Sequence, residues 1–198
     1  MVLIRKPFIG LGTGRMGTTS LQKLVGACQN TIVGHEQKQY LTAWHEDKNI
    51  HKIDRLIEWL ESNAQKGLLV GEVTPSLVPR VDYIRDKIDV KIICLHRSKE
   101  EVVESYMKKC KNRSLILPDQ KWSNWCKYAP TISAKDVRTS YEAYWELYER
   151  VAADITDAYH FNTHDLSNKK SLEQLFKFLD IPKGDWEFLK KTKWNIGC

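Results

Sequence analysis

The feature that most constrains this chain is a glycine-rich turn between a short apolar run and an amphipathic segment. Phe8-Ile9-Gly10-Leu11 is apolar and stops at glycines, which predicts a buried strand over 8–11. Beyond the turn, Leu21, Leu24, Val25 and Cys28 recur at helical spacing, which predicts a helix over 17–29. Between them lies Gly12-Thr13-Gly14-Arg15-Met16-Gly17-Thr18-Thr19-Ser20. Glycines let backbone N–H groups approach a ligand, and the start of the helix aims further free N–H groups at the same point. Thr18 and Thr19 add hydroxyls and Arg15 a guanidinium. The segment reads as an anion cradle, best suited to phosphate.

The rest of the chain repeats the alternation. Strands are predicted over 31–34, 68–70, 90–95 and 159–162, and helices over 48–66, 76–87, 98–109, 136–157 and 171–179. Strands alternating with helices predict an α/β fold with a central parallel sheet of four to five strands flanked by helices, P-loop NTPase-like in plan. Ligands of such sheets collect at the carboxyl ends of the strands. That rule gathers residues 12–19, 34–36, 71–72 and 96–97 into one neighbourhood. Residues 111–134 break the rhythm with two prolines and the aromatics Trp122, Trp125 and Tyr128. They are expected to form a loop-rich cap over the acceptor side of a single domain spanning 1–198, and the aromatics either anchor that cap or line the acceptor pocket.

Composition narrows the class. Thirty-one Lys+Arg against 25 Asp+Glu leave a formal charge of +6, which favours capture of anionic ligands without naming one. The clusters at 108–111 and 190–193 read as solvated helix faces, so no nucleic-acid partner is expected. Basic residues around 108–113 and 121–127 hint at an acidic acceptor. The five cysteines are odd in number and form no CxxC pair, so neither disulfides nor zinc is indicated. No signal-peptide pattern follows Met1 and no apolar stretch reaches a membrane-spanning length of about 18 residues, so a cytoplasmic, membrane-free protein is expected. His45, His51, His96, His160 and His164 read as scattered loop or surface residues, and Tyr141, Tyr144, Trp145 and Tyr148, at helical spacing, as packing residues.

Compared with the nucleotide-triphosphate loop GxxxxGK[ST], Gly12, Gly17 and Thr19 keep the spacing, but Thr18 replaces the lysine. The basic group is instead Arg15, inside the loop. A phosphotransferase of that kind also needs an acidic magnesium ligand after a neighbouring strand. Here the strand over 90–95 runs into His96-Arg97, which is basic. The site is built to neutralise phosphate charge without a metal. Two readings remain beside the one developed below: a metal-dependent P-loop kinase of small molecules, and a non-catalytic nucleotide-binding module.

At these residues the chain resembles the sulfotransferases that use 3′-phosphoadenosine 5′-phosphosulfate (PAPS). Arg15-Met16-Gly17-Thr18-Thr19 is similar to the family's 5′-phosphosulfate loop. The stretch 91–105, KIICLHRSKEEVVES, is similar to its 3′-phosphate motif, with Arg97 at the strand end and Ser105 eight residues later. Glu72-Val73-Thr74-Pro75 resembles a Glu-Lys-(Ser or Thr)-Pro stretch with Val73 in place of the lysine. The likeness covers most of the chain outside 111–134. It implies PAPS as co-substrate and adenosine 3′,5′-bisphosphate as product, with Gly14, Arg15, Met16, Gly17, Thr18, Thr19, Ser20, Arg97 and Ser105 as the binding set and no metal. Arg15 and Arg97 would grip opposite ends of the nucleotide, with Arg15 steadying charge on the leaving group. Protein-tyrosine sulfotransferases have a glutamate at the offset of Glu36, which favours Glu36 as general base. His35 is the rival, its ordinary pKa suiting neutral pH. Some cytosolic members carry Trp after the two threonines; Ser20 stands there, so the adenine platform must come from elsewhere. The chain is short for the family, so the acceptor pocket is expected to be open or completed by a partner. The acceptor is a small molecule, glycan or peptide, and neither its identity nor the oligomeric state is legible.

Overall fold

The computed structural model describes residues 5–44, 49–109, 129–132 and 134–186. Five strands form one sheet: β1 (Phe8–Leu11), β2 (Thr31–His35), β3 (Leu69–Val73), β4 (Lys91–His96) and β5 (Tyr159–Asn162). The order is β2-β3-β1-β4-β5 and every pairing is parallel. The protein is therefore an α/β fold with an all-parallel central sheet. In such a sheet the interior strands are covered on both faces. Every residue of β1 and β3 is accordingly buried, while the edge strand β2 is only partly so. This is why β1 reads as a continuous apolar run and β3 opens on one, with Glu72 the exception.

The helices follow the expected periodicity with small shifts at their ends. They are α1 (Thr18–Gly26), α2 (Ile50–Ala64), α3 (Val81–Arg85), α4 (Lys99–Lys109), α5 (Val137–Asp154), α6 (Lys169–Phe178) and α7 (Lys183–Trp186). In α2 the buried face is Ile53, Leu56, Ile57, Leu60 and Ala64. Asp136 caps α5, its side chain accepting from the Thr139 N–H at 2.8 Å. The helix expected over 76–87 is different: residues Pro75–Arg80 form 3₁₀ turns before α3 begins. Pro79 inside that stretch offers no N–H, which rules out an uninterrupted α-helical ladder there.

One hydrophobic cluster joins both faces of the sheet, and Tyr141, Tyr144 and Tyr148 lie buried within it, as their spacing predicts. Cys28 and Cys94 are buried free thiols; burial pushes the Cys94 thiol up to about 12, so it stays protonated and inert. Among the described residues no helix is long and apolar enough to cross a membrane. The expected cap over 111–134, with Trp122, Trp125 and Tyr128, lies almost wholly outside the described residues, as does His45.

Strand order fixes where a ligand can sit. From β1 the chain moves to one side of the sheet through α1 to β2, whereas β4 lies on the other side of β1. The loops after β1 and β4 therefore part company, opening a crevice at the carboxyl ends of the two central strands.

Candidate functional site

The loop after β1 is tightly wound. Arg15 and Gly17 both have left-handed backbones, with φ of 74° and 90°. Gly17 is required: a Cβ there would stand 2.7 Å from Thr163 Cγ2 on the chain leaving β5. Thr13 and Met16 turn inward, the Thr13 N–H donating to the Met16 sulfur at 3.3 Å, and Gly14 is buried. Of the expected cradle, Met16 therefore supplies packing, and only its backbone can serve a ligand. No side chain caps the first turn of α1, so its leading N–H groups are left for a ligand.

Two residues distant in sequence close on this loop. The Arg97 Nη1 donates to the Arg15 carbonyl at 3.1 Å, and the Arg15 Nε donates to Ser105 Oγ at 2.8 Å. Together Arg15, Arg97 and Ser105 line a cleft of about 570 Å³ that continues past Lys108 and Lys109. Glu100, Glu101 and Glu104 also border it. Their charges are engaged: Arg138 pairs with Glu100 and Glu104, at 2.7 and 2.6 Å, and His164 with Glu101 at 2.6 Å. Accordingly the hydrogen bond from Ser98, then that from His164, holds the Glu101 carboxyl below the usual carboxylate range, and that from Arg138 does the same for Glu104. The two arginines assigned by sequence to opposite ends of a ligand are thus in contact at one end.

Three aromatic or polar side chains hold the strand ends in place. The Tyr148 hydroxyl reaches the carbonyls of Leu11 and Leu95, at 3.1 and 2.9 Å, tying the ends of β1 and β4. Trp145 Nε1 donates to the Arg97 carbonyl at 2.9 Å, and Thr163 Oγ1 to that of His96 at 3.1 Å. Helical spacing marks Tyr148 and Trp145 as packing residues; their hydrogen bonds to the site have no sequence signature.

The second half of the site lies at the end of β2, with β3 between it and β1. His35 Nε2 sits 3.0 Å from Thr18 Oγ1 and 3.4 Å from Thr19 Oγ1, and 3.9 Å from the Glu36 carboxylate. Burial lowers the His35 pKa, and the Glu36 charge opposes that shift. Glu36 has φ of 50°, which strains any residue with a Cβ. The other non-glycine residues with such φ among those described are Arg15, Asn30 and Asp180. Asn and Asp tolerate this conformation; Arg and Glu rarely adopt it. Backbone strain of this kind gathers at functional sites, and here it falls on two of the three residues named from the sequence as candidates for the chemistry, Arg15 and Glu36 but not His35.

Beneath Glu36 lies a buried carboxylate. Glu72, fully buried on β3, accepts from the Gln37 N–H at 3.1 Å and from Gln37 Nε2 at 3.0 Å. Burial raises its pKa to about 7, against the pull of the Gln37 hydrogen bonds and with a further push from the Glu36 charge. Tyr144 ends in the same neighbourhood: its buried hydroxyl feels the Glu36 charge and has no hydrogen-bond partner among the described residues. An acid inside the buried run Leu69-Val70-Gly71-Glu72-Val73 is a sequence signal for a special group. Gln37 carries none.

Two of the histidines read as scattered, His96 and His160, meet in the fold. His96 Nδ1 pairs with Glu149 at 2.8 Å and its Nε2 with His160 Nδ1 at 2.8 Å, the two rings stacking. Parallel pairing sets Cys94 beside His160, and that register brings the imidazoles together. No family model matches the chain, and no curated protein matches it.

Proposed function

We propose that this protein is a sulfotransferase that moves a sulfuryl group from PAPS to a hydroxyl or amine acceptor. The observation that carries the reading is the meeting of Arg15, Arg97 and Ser105, 82 and 90 residues apart in pairs, on one cleft at the switch between β1 and β4. A ligand with two separated phosphates suits this arrangement. The leading N–H groups of α1 and the Thr18 and Thr19 hydroxyls would receive the 5′ end. Arg97 and Ser105 would receive the 3′-phosphate, the guanidinium forking onto its oxygens.

In transfer, the acceptor oxygen or nitrogen bonds to sulfur as the bond from sulfur to the 5′-phosphate oxygen breaks. Adenosine 3′,5′-bisphosphate leaves, and Glu36 takes the acceptor proton. Arg15 steadies the charge growing on the leaving oxygen. Its Nε is held by Ser105. Its terminal nitrogens make no hydrogen bond among the described residues, so the leaving-group role requires the side chain to turn from Ser105 towards the cradle. His35 Nε2 already faces the Thr18 and Thr19 hydroxyls, at 3.0 and 3.4 Å. That favours Glu36 over His35 as base.

The test is a melting experiment. At roughly a hundredfold excess over its Kd, adenosine 3′,5′-bisphosphate without magnesium is expected to raise Tm by about 5–10 °C. ATP with magnesium is expected to do much less. A preference for ATP with magnesium overturns the reading in favour of a kinase. Stabilisation by the bisphosphate without transfer to any acceptor in a broad panel overturns it in favour of a binding module.

A further inference from the structure

The interlock at the end of β2 has a role of its own. Glu36 is held in a strained left-handed turn, and something must prevent it from relaxing. Its own N–H donates to the Val73 carbonyl at 3.3 Å. The next peptide is fixed by Glu72, which takes the Gln37 N–H on one oxygen and the Gln37 side-chain amide on the other. Room for this clasp exists because residue 34 is glycine. A Cβ there would stand 1.9 Å from Gln37 Nε2 and 2.0 Å from Glu72 Oε2. Gly34, Gln37 and Glu72 therefore form one device on three sides of the Glu36 turn.

We infer that Glu72 is a positioning residue for Glu36, its carboxylate clasping Gln37 and so holding the proposed base in its left-handed turn at the end of β2. This rests on the sulfotransferase reading for what Glu36 does, though not for how it is held. The clasp needs both Glu72 oxygens as acceptors. A proton on either one removes the charge that both Gln37 donors bind, which weakens the two bonds. The carboxyl holds its proton up to about pH 7, so the clasp reaches full strength only above that pH. Of the titratable groups facing it, Glu36 raises the proton affinity of Glu72 directly. His35 lies one step further, beside Glu36, and loses its own proton at lower pH because burial holds it below its usual range.

The same proton has an opposite effect on stability. Glu72 binds it more tightly in the fold, at about 7, than in the unfolded chain, at 4.5. Stability from this group is therefore present at acid pH and is lost as pH rises through about 7. The turn tightens where the fold weakens, as expected of a charge buried for a purpose other than stability.

Glu72→Gln leaves the amide oxygen for one Gln37 donor and turns an NH₂ against the other. We expect kcat to fall on the order of 10- to 100-fold, acceptor KM to stay within about twofold, and the rise of kcat near pH 7 to vanish. The bisphosphate-induced shift in Tm should persist, because it reads the other end of the cleft. Wild-type kcat and pH profile in Glu72→Gln would overturn the inference, as would loss of bisphosphate binding along with activity, which marks a general structural role. Gln37→Ala, which removes one donor from a partly exposed side chain, should lower kcat in the same direction and protects the test against misfolding of the first variant. An activity-free measurement separates this inference from the functional reading. The Gln37 amide resonance should titrate with a midpoint near pH 7 in the wild type and stay flat in Glu72→Gln. That titration in a protein with no transferase activity would sink the sulfotransferase and keep the clasp; a flat wild-type signal would sink the clasp.

Discussion

The two ends of the proposed cleft are built on opposite principles. At the β1–β4 end, Arg15, Arg97 and Ser105 are partly exposed, and loops and the middle of α4 carry them. Their charges stay near water, and neighbouring glutamates are paired with Arg138 and His164. At the β2–β3 end His35 and Glu36 are also partly exposed, but the groups behind them are withdrawn: Glu72 and Tyr144 are fully buried, and burial shifts His35, Glu72 and Tyr144 away from their ordinary proton affinities. An open cationic end suits a ligand that arrives highly charged, since long-range attraction acts through solvent. A dry end suits proton transfer, since burial is what tunes proton affinity. The contrast predicts that substitutions at one end should spare the function of the other.

The largest effect should come from Glu36→Gln. The amide keeps the shape of the turn but cannot take a proton. Transfer is expected to fall by about 10²–10⁴, with the bisphosphate-induced Tm shift unchanged. Single-turnover rates at saturating donor would measure it. If Glu36→Gln stays active while His35→Ala is dead, the base has been misassigned, though the division into two ends survives. Next comes Arg97→Ala, which removes a charged hydrogen-bond donor from the open end. Affinity for the bisphosphate should weaken by about 10- to 100-fold, the value of one bond to a charged group. Calorimetric titration at constant ionic strength reads this directly. Arg97→Lys should recover part of the loss, because it restores the charge but not the fork. An undiminished affinity would place the 3′-phosphate elsewhere and blur the contrast between the ends.

The same contrast decides how much could be read from the chain. Arg15, Gly17, Thr18 and Thr19 stand together between a strand and a helix, and Arg97 ends a strand with Ser105 on the next helix. Each has a local pattern, and the parallel topology then brings the two patterns together. The sheet was legible for a related reason, since the interior strand β1 is an unbroken apolar run and β3 opens on one. The dry end has no such pattern. Glu72, Gln37 and Gly34 meet because β2 pairs with β3 in one register, Gly34 opposite Glu72. A slip of that pairing would separate them, and no short stretch of sequence specifies it. Tyr144 and Tyr148 have the same spacing and burial on α5, yet one bonds two strand ends and the other bonds nothing among the described residues. Periodicity reports the face a side chain occupies, not what waits for its hydroxyl.

Tyr144 offers the smallest and most discriminating test of how dry that end is. Its ring packs edge-on against Trp44, centroids 5.8 Å apart, and burial with the nearby Glu36 charge keeps the phenol protonated. A buried hydroxyl without a partner carries its desolvation cost with no compensating bond. Phenylalanine preserves the ring contact and deletes only that cost. Tyr144→Phe should therefore be at least as stable as the wild type, by up to about 1 kcal/mol, where removal of a paired hydroxyl would destabilise by a similar amount. Urea unfolding at pH 7, with the slope unchanged between the two proteins, resolves the sign. Loss of stability would mean that water or a shifted side chain reaches the Tyr144 hydroxyl in solution. The end of β2 would then be wet, and burial alone would no longer account for the raised proton affinity of Glu72.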